Sequence, residues 1–176
     1  YYMKFTILKN EDLNSHKRWE LSCKELKIDY SIIELTSYDW YDKIIKDNSD
    51  CFLLKSSGET VRFKNLYDER LYIIDKILKR KIYPSYKEVV LHENKRLLSF
   101  YLKASNIPHP QTNIFYNKFE AFNFIKDCSY PIVAKTNIGA SGSGVKIIKN
   151  QIDSKNYINK AFKKGIKRRL GPNTKI

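Results

Sequence analysis

The sequence predicts an α/β protein in two pieces, and three observations predict it. Short apolar runs alternate with helical periodicities through the first half, in the order strand, helix, strand, helix, strand. Pro84 then interrupts the pattern, and a longer helical stretch follows it. The second half carries a strand, a loop of small residues and a second strand within 130–148, YPIVAKTNIGASGSGVKII. Alternation at such short spacing builds a parallel sheet with covering helices.

The first half divides as follows. Residues 3–8 read as a strand and 10–15 as a polar turn. A helix is predicted over 15–27, with Trp19, Cys23 and Leu26 at i, i+4, i+7. Residues 30–35 form a second strand centred on Ile32 and Ile33. Ser37 or Asp39 can cap a short helix bearing Trp40, Ile44 and Ile45. The apolar run 51–54 is a third, buried strand. Right-handed crossovers between such strands give a small Rossmann-like unit over 1–84. It has no glycine fingerprint, so no dinucleotide is expected there. Residues 55–64 are polar and receive no element. A helix over 65–79 places Leu71, Ile74, Ile77 and Leu78 on one face. Ile82, Tyr83 and Pro84 close this half, because Pro84 disfavours helix at Tyr83.

The second half, 85–176, opens with a predicted helix over 86–105. Leu97 with Tyr101, and Leu98 with Leu102, are its i, i+4 apolar pairs. Asn106 suits its end, and Pro108 and Pro110 prevent its continuation. A strand is expected over 112–116, then a helix started by Asn117 and Glu120 and bearing Phe119, Phe122 and Ile125. After the strand–loop–strand stretch, a last helix over 156–164 is expected to turn Ile158, Ala161 and Phe162 inward.

The loop is the candidate site. The strand 131–134 ends in Lys135, and Gly139, Ala140, Ser141, Gly142, Ser143 and Gly144 follow before the β-branched run 145–148. Glycine has no Cβ and tolerates positive φ, so such a loop can bring its N–H groups close to an anion. Lys135 adds positive charge at its foot, which suits nucleotide phosphates. A Walker A loop is excluded, because Gly144 is followed by Val145 and Lys146 rather than by Lys-Ser/Thr opening a helix. The alternative is a solvated hairpin tip that binds nothing.

Thirty-three basic against nineteen acidic residues give a formal charge of +14. That charge predicts affinity for polyanions: nucleotide phosphates, nucleic acid, acidic glycans or an anionic membrane surface. Basic residues concentrate near the end of the sequence, at Lys155, Lys160, Lys163, Lys164, Lys167, Arg168, Arg169 and Lys175, with no acidic residue after Asp153. This segment is either a solvated, frayed face or an anion contact. Gly165, Gly171 and Pro172 give it the composition of a loop. Cys23, Cys51 and Cys128 are odd in number and lack metal-ligand spacing, which points to reduced thiols and a cytoplasmic location. No apolar run approaches the ~20 residues of a membrane span, and the sequence enters a strand pattern at once after Tyr1 and Tyr2, with no signal peptide visible.

Taken together, Asn94-Lys95, a helix, Ile107-Pro108-x-Pro110-x-Thr112, Tyr130-Pro131-Ile132-Val133-Ala134-Lys135, the glycine loop and Gly144-Val145 resemble the ATP-grasp superfamily. The resemblance covers 93–148, and the first half is similar to the Rossmann-like domain that precedes the grasp. It implies a Rossmann-like parallel-sheet domain followed by the N-terminal part of an ATP-grasp domain. It implies an ATP-dependent carboxylate–amine or carboxylate–thiol ligase acting through an acyl phosphate on a small-molecule or peptide carboxylate. By this resemblance Lys95 and Lys135 contact the nucleotide, and residues 139–144 fold over its phosphates. The Mg2+ ligands, the ribose carboxylate and the adenine contacts are expected in a C-terminal half outside these residues, so this stretch alone is expected to be inactive. His92 and His109 are expected to be structural or solvated. Two rivals from other classes remain. One is a non-catalytic basic module for nucleic acid or acidic glycan, with Tyr and Phe for stacking, although no nucleic-acid-binding motif is present. The other is a structural domain whose unfinished grasp half is an interface.

Overall fold

A computed structural model describes residues 3–57, 60–139, 142 and 144–166. Its chain divides into two compact units, Tyr1–His92 and Glu93–Ile176.

The first unit is built on a four-stranded parallel sheet. Its strands are β1 (Lys4–Lys9), β2 (Asp29–Glu34), β3 (Cys51–Leu54) and β4 (Ile82–Tyr83), in the order β2-β1-β3-β4. The helices α1 (Lys17–Glu25), α2 (Trp40–Lys46), α3 (Val61–Tyr72) and α4 (Tyr86–Leu91) complete it. Successive strand residues face opposite sides, and both sides are apolar, as a sheet covered on both faces requires. Leu8, Ile33, Phe52, Leu54 and Ile82 lie in one core with Ile44, Tyr67, Leu71 and Val89. Ile7 and Leu53 lie in the other with Cys23, Trp19 and Tyr30. The α/β alternation expected from the sequence is therefore present, with each predicted strand shifted by no more than a residue or so. Ile82 and Tyr83 add a short fourth strand that the sequence reading left as a closing segment.

Polar ties hold this unit together. Tyr67 donates its hydroxyl to the Leu8 carbonyl at 3.1 Å, and the Trp19 indole donates to the Leu54 carbonyl at 3.1 Å. Asp47 accepts from Thr6 Oγ1 at 2.6 Å, from the Ser49 amide at 2.9 Å and from Arg80 Nη2 at 3.1 Å. The Arg80 guanidinium also covers the Phe52 ring at 4.8 Å. Lys64 is 1% exposed, pairs with Asp68 one turn on, and donates to the Val89 carbonyl at 3.1 Å. That last bond fastens α4 to α3, so residues 85–92 go with the first unit.

α3 starts at Val61, capped by Thr60 accepting from the Phe63 amide, and its last turn widens into a π-helical turn over Ile73–Ile77. The helix thus begins four residues before the expected 65, inside the polar stretch 55–64 that received no element. The expected helix over 86–105 is two helices, α4 and α5 (Lys95–Ala104). Glu93 takes φ +55 between them, and Asn94 caps the second by accepting from the Leu97 amide. A residue in the left-handed region cannot continue a right-handed helix.

The second unit contains α5, α6 (Lys118–Asp127), the antiparallel pair β5 (Ile132–Lys135) and β6 (Val145–Ile148), and α7 (Gln151–Lys163). Its core joins Ala121 and Ile125 of α6 to Ile158 of α7, with Phe115, Phe122, Phe124 and Cys128 packed around them. Residues 112–116 are not a strand; the segment runs without a ladder, and Tyr116 lies under the Arg96 guanidinium at 5.0 Å. A β-rich composition makes a strand only where another strand accepts its hydrogen bonds. α7 begins at Gln151, earlier than expected, because Asn150 caps it by accepting from the Asp153 amide. Ile158 is buried as expected, whereas Phe162 is exposed. None of the residues of α5 is buried, including the pairs Leu97–Tyr101 and Leu98–Leu102. The three cysteines are free thiols, and no described helix is long and apolar enough to cross a membrane.

Candidate functional site

The candidate site is the loop between β5 and β6. Its neck is closed by backbone bonds, Thr136 N–H to the Gly144 carbonyl at 3.0 Å and Val145 N–H to the Gly142 carbonyl at 3.1 Å. Two glycines are required here for different reasons. Gly142 has φ +75 but open space around it, so only its backbone conformation demands glycine. Gly144 has φ +78, and a Cβ on it would lie 2.1 Å from Thr136 Oγ1. Thr136 itself is committed, donating to the Ile138 carbonyl at 3.2 Å. Gly139 is buried at the start of the loop with φ 140. Ala140, Ser141 and Ser143, also predicted to line the loop, lie outside the described residues, as do Lys167, Arg168, Arg169 and Lys175 of the basic segment.

Lys135 is the last residue of β5 and is exposed, and its side chain makes no ion pair or hydrogen bond among the described residues. Directly paired residues share a sheet face. Lys135 opposes Val145, and Val133 opposes Ile147, so these four lie on one side of the hairpin. The apolar three are 55%, 42% and 63% exposed at Val133, Val145 and Ile147. Lys146 opposes Ala134 and belongs to the other side. The hairpin thus presents a small apolar face that ends, at the loop, in the exposed Lys135. The position of Lys135 at the end of a strand is legible in the sequence; that Val145 and Ile147 share its face follows only from the strand register.

Lys95 opens α5 on the other side of the loop. Its ammonium donates to the Gly139 carbonyl, lies 3.5 Å from the Asn137 carbonyl and 3.5 Å from Glu93 Oε2. The structure therefore places Lys95 at the base of the loop, with loop carbonyls and a carboxylate around its ammonium. Asn137, which the sequence reading did not single out, also accepts from two amides of α5, Lys95 N at 3.2 Å and Arg96 N at 2.9 Å through its Oδ1. His109 stands apart, its Nδ1 at 2.7 Å from the Ile107 carbonyl.

Chemically, the positive-φ glycines of the loop, with Lys135 exposed at its foot and Lys95 held by loop carbonyls, can present backbone N–H groups and positive charge to an anion. A metal is a different matter. No group of three or more His, Cys, Asp or Glu that could hold an ion occurs among the described residues.

No protein-family model matches the sequence, and no curated protein matches it by sequence either. Solved structures do match the fold. A RimK domain ATP-grasp protein from Sphaerobacter thermophilus superposes with a TM-score of 0.61 at 13% identity, covering 94% of this chain and 61% of its own. The biotin carboxylase domain of 2-oxoglutarate carboxylase from Hydrogenobacter thermophilus, in a complex with MgADP, ADP and bicarbonate, gives 0.63 at 18% identity over 94% of this chain and 42% of its own. N5-carboxyaminoimidazole ribonucleotide synthetase from Thermotoga maritima gives 0.60 at 18% identity over 88% and 43%. The chain has the fold of ATP-grasp proteins and spans between about two fifths and three fifths of the length of those it matches.

Proposed function

We propose that these residues are the N-terminal part of an ATP-dependent carboxylate–amine or carboxylate–thiol ligase, and that the β5–β6 hairpin holds the nucleotide. The observation that carries this reading is the shared face of Lys135, Val133, Val145 and Ile147 at the foot of the loop. One face of the purine lies along the apolar side chains, and its polar contacts come from residues outside those described. The phosphates extend towards the Lys135 ammonium and the amides of the loop.

In the reaction, a substrate carboxylate oxygen attacks the γ-phosphorus, and ADP leaves with the electrons of the broken P–O bond. The product is an acyl phosphate. An amine nitrogen (or a thiol sulfur) then attacks the acyl carbon, inorganic phosphate departs, and the nucleophile loses its proton. Phosphoryl transfer asks little covalent chemistry of the protein, which contributes position and charge. Lys135 offsets charge on the phosphate oxygens in a place already fixed by β5. The glycines let loop amides approach those oxygens without a Cβ between. Mg2+ would supply charge neutralisation in such a transfer, with ligands from residues other than those described. The carboxylate and the nucleophile are chosen elsewhere in the protein.

The test is a pair of titrations on the same preparation, ATP by calorimetry and random duplex DNA by anisotropy, at low and physiological salt. ATP binding that persists at physiological salt, with DNA binding that vanishes there, is the expected result. Tight DNA binding at physiological salt with no heat from ATP would replace the ligase reading by the basic module that a charge of +14 also allows.

A further inference from the structure

The amino end of α5 is closed by the loop. The first amides of a helix have no partner inside it, and here each of the first three has one. Lys95 N–H donates to the Asn137 carbonyl at 3.2 Å, Arg96 N–H to Asn137 Oδ1 at 2.9 Å, and Leu97 N–H to Asn94 Oδ1 at 3.2 Å. Two of the three acceptors belong to one residue more than forty positions further along the chain. The helix end is therefore not open to an anion; it is a socket for the incoming limb of the loop. The same residue helps to hold the Lys95 ammonium, whose other acceptor is the carbonyl of Gly139, two residues on. On the outgoing side, Thr136 and Gly144 close the neck.

From this we propose that Asn137 is a positioning residue for nucleotide binding. It anchors the loop to α5 and, by fixing the carbonyls at 137 and 139, sets where the Lys95 ammonium stands. The inference rests on the nucleotide reading given above. Its physical basis is conformational entropy: an ammonium already held by fixed carbonyls loses less freedom on meeting a phosphate than one left to rotate. An amide oxygen suits the role, because it caps the helix amide without placing a second negative charge beside Lys95, where Glu93 already stands at 3.5 Å.

The experiment is a double-mutant cycle in the intact protein, read by ATP calorimetry with melting curves and amide exchange. The variants are Asn137→Ala, Lys95→Ala, their combination and, as a reference, Lys135→Ala. Asn137→Ala is expected to weaken ATP about tenfold, the scale of one lost net hydrogen bond and its ordering, and to speed exchange of the Arg96 amide. The double variant is expected to bind within about twofold of Lys95→Ala, because both changes act on the same ammonium. A purely structural role would lower the melting temperature yet give losses that multiply. Multiplying losses, or wild-type affinity in Asn137→Ala while Lys135→Ala is weakened, overturns the positioning role and leaves the nucleotide reading intact. Unchanged affinity in Lys135→Ala as well overturns both. Asn137→Ser, whose hydroxyl is one bond short of the amide oxygen, replaces the alanine variant if that protein does not fold, with the same results expected.

Discussion

Replacing Gly144 by alanine tests how tightly the loop neck is built. Two costs are visible. At φ +78 an L side chain occupies the left-handed region, at about 1–2 kcal/mol. The new Cβ would also stand 2.1 Å from Thr136 Oγ1, so Thr136 must turn away and give up its bond to the Ile138 carbonyl. That bond is worth about 1 kcal/mol net. The expected loss for Gly144→Ala is therefore about 2–3 kcal/mol of local stability. Gly142→Ala, at φ +75 with nothing within 4 Å, incurs only the first cost. Thr136→Ala removes the obstructing hydroxyl and methyl and leaves only its Cβ at 3.1 Å, so in that background the cost of Gly144→Ala should fall most of the way towards the Gly142→Ala value. Amide exchange of Thr136 and Val145, whose N–H groups close the neck, reports local opening directly. The reasoning is refuted if Gly144→Ala and Gly142→Ala open the neck equally, or if the Thr136→Ala background gives no relief.

Two further predictions concern the first unit. Lys64→Ala leaves the half-buried Asp68 carboxylate and the buried Val89 carbonyl without their partner and should cost about 2–3 kcal/mol in urea unfolding. Lys64→Met with Asp68→Leu, which removes both charges at similar volume, should cost clearly less, and equal losses would show that packing rather than charge decides the site. Asp47 sets an acid limit. Burial pushes its carboxyl up, but hydrogen bonds from Ser49, Thr6 and Arg80 together hold it below the usual range. A depressed folded-state value contributes stability that is present above the unfolded value of about 3.9 and is lost as pH falls through the folded one. Asp47→Asn should therefore melt lower than the parent at pH 7, and the gap should narrow below about pH 4; a gap independent of pH would contradict the assignment.

What the sequence revealed follows from the range of the forces involved. The β-α-β-α-β order was readable because Ile7, Leu8, Phe52, Leu53 and Leu54 are buried on both sides of one sheet, which makes each strand an unbroken apolar run. The loop glycines were readable because backbone conformation is a local demand, and Lys135 because a strand fixes its neighbour's direction. The break at Glu93 was marked by the Asn94 cap, and the start of α7 by the Asn150 cap with Asp153, but apolar periodicity on either side outweighed them. The strand expected over 112–116 failed for a non-local reason: pairing needs a second strand, and local composition cannot supply one. Asn137 is the clearest case. Its role depends on meeting α5 across more than forty residues, and a single asparagine in a polar loop carries no sequence signal for that.

The central claim is that the hairpin binds a nucleotide through Lys135. A partly desolvated ammonium–phosphate contact is worth about 1.5–3 kcal/mol as a charge-assisted hydrogen bond. Lys135→Ala should therefore weaken ATP binding roughly ten- to a hundredfold. Lys146→Ala, on the opposite face of the same hairpin, should change it little. Both variants should melt with the parent, because both lysines are exposed. The measurement is ATP titration calorimetry on the three proteins side by side. A loss confined to Lys135→Ala is the predicted result; equal affinity in all three, or equal losses in both variants, would contradict it.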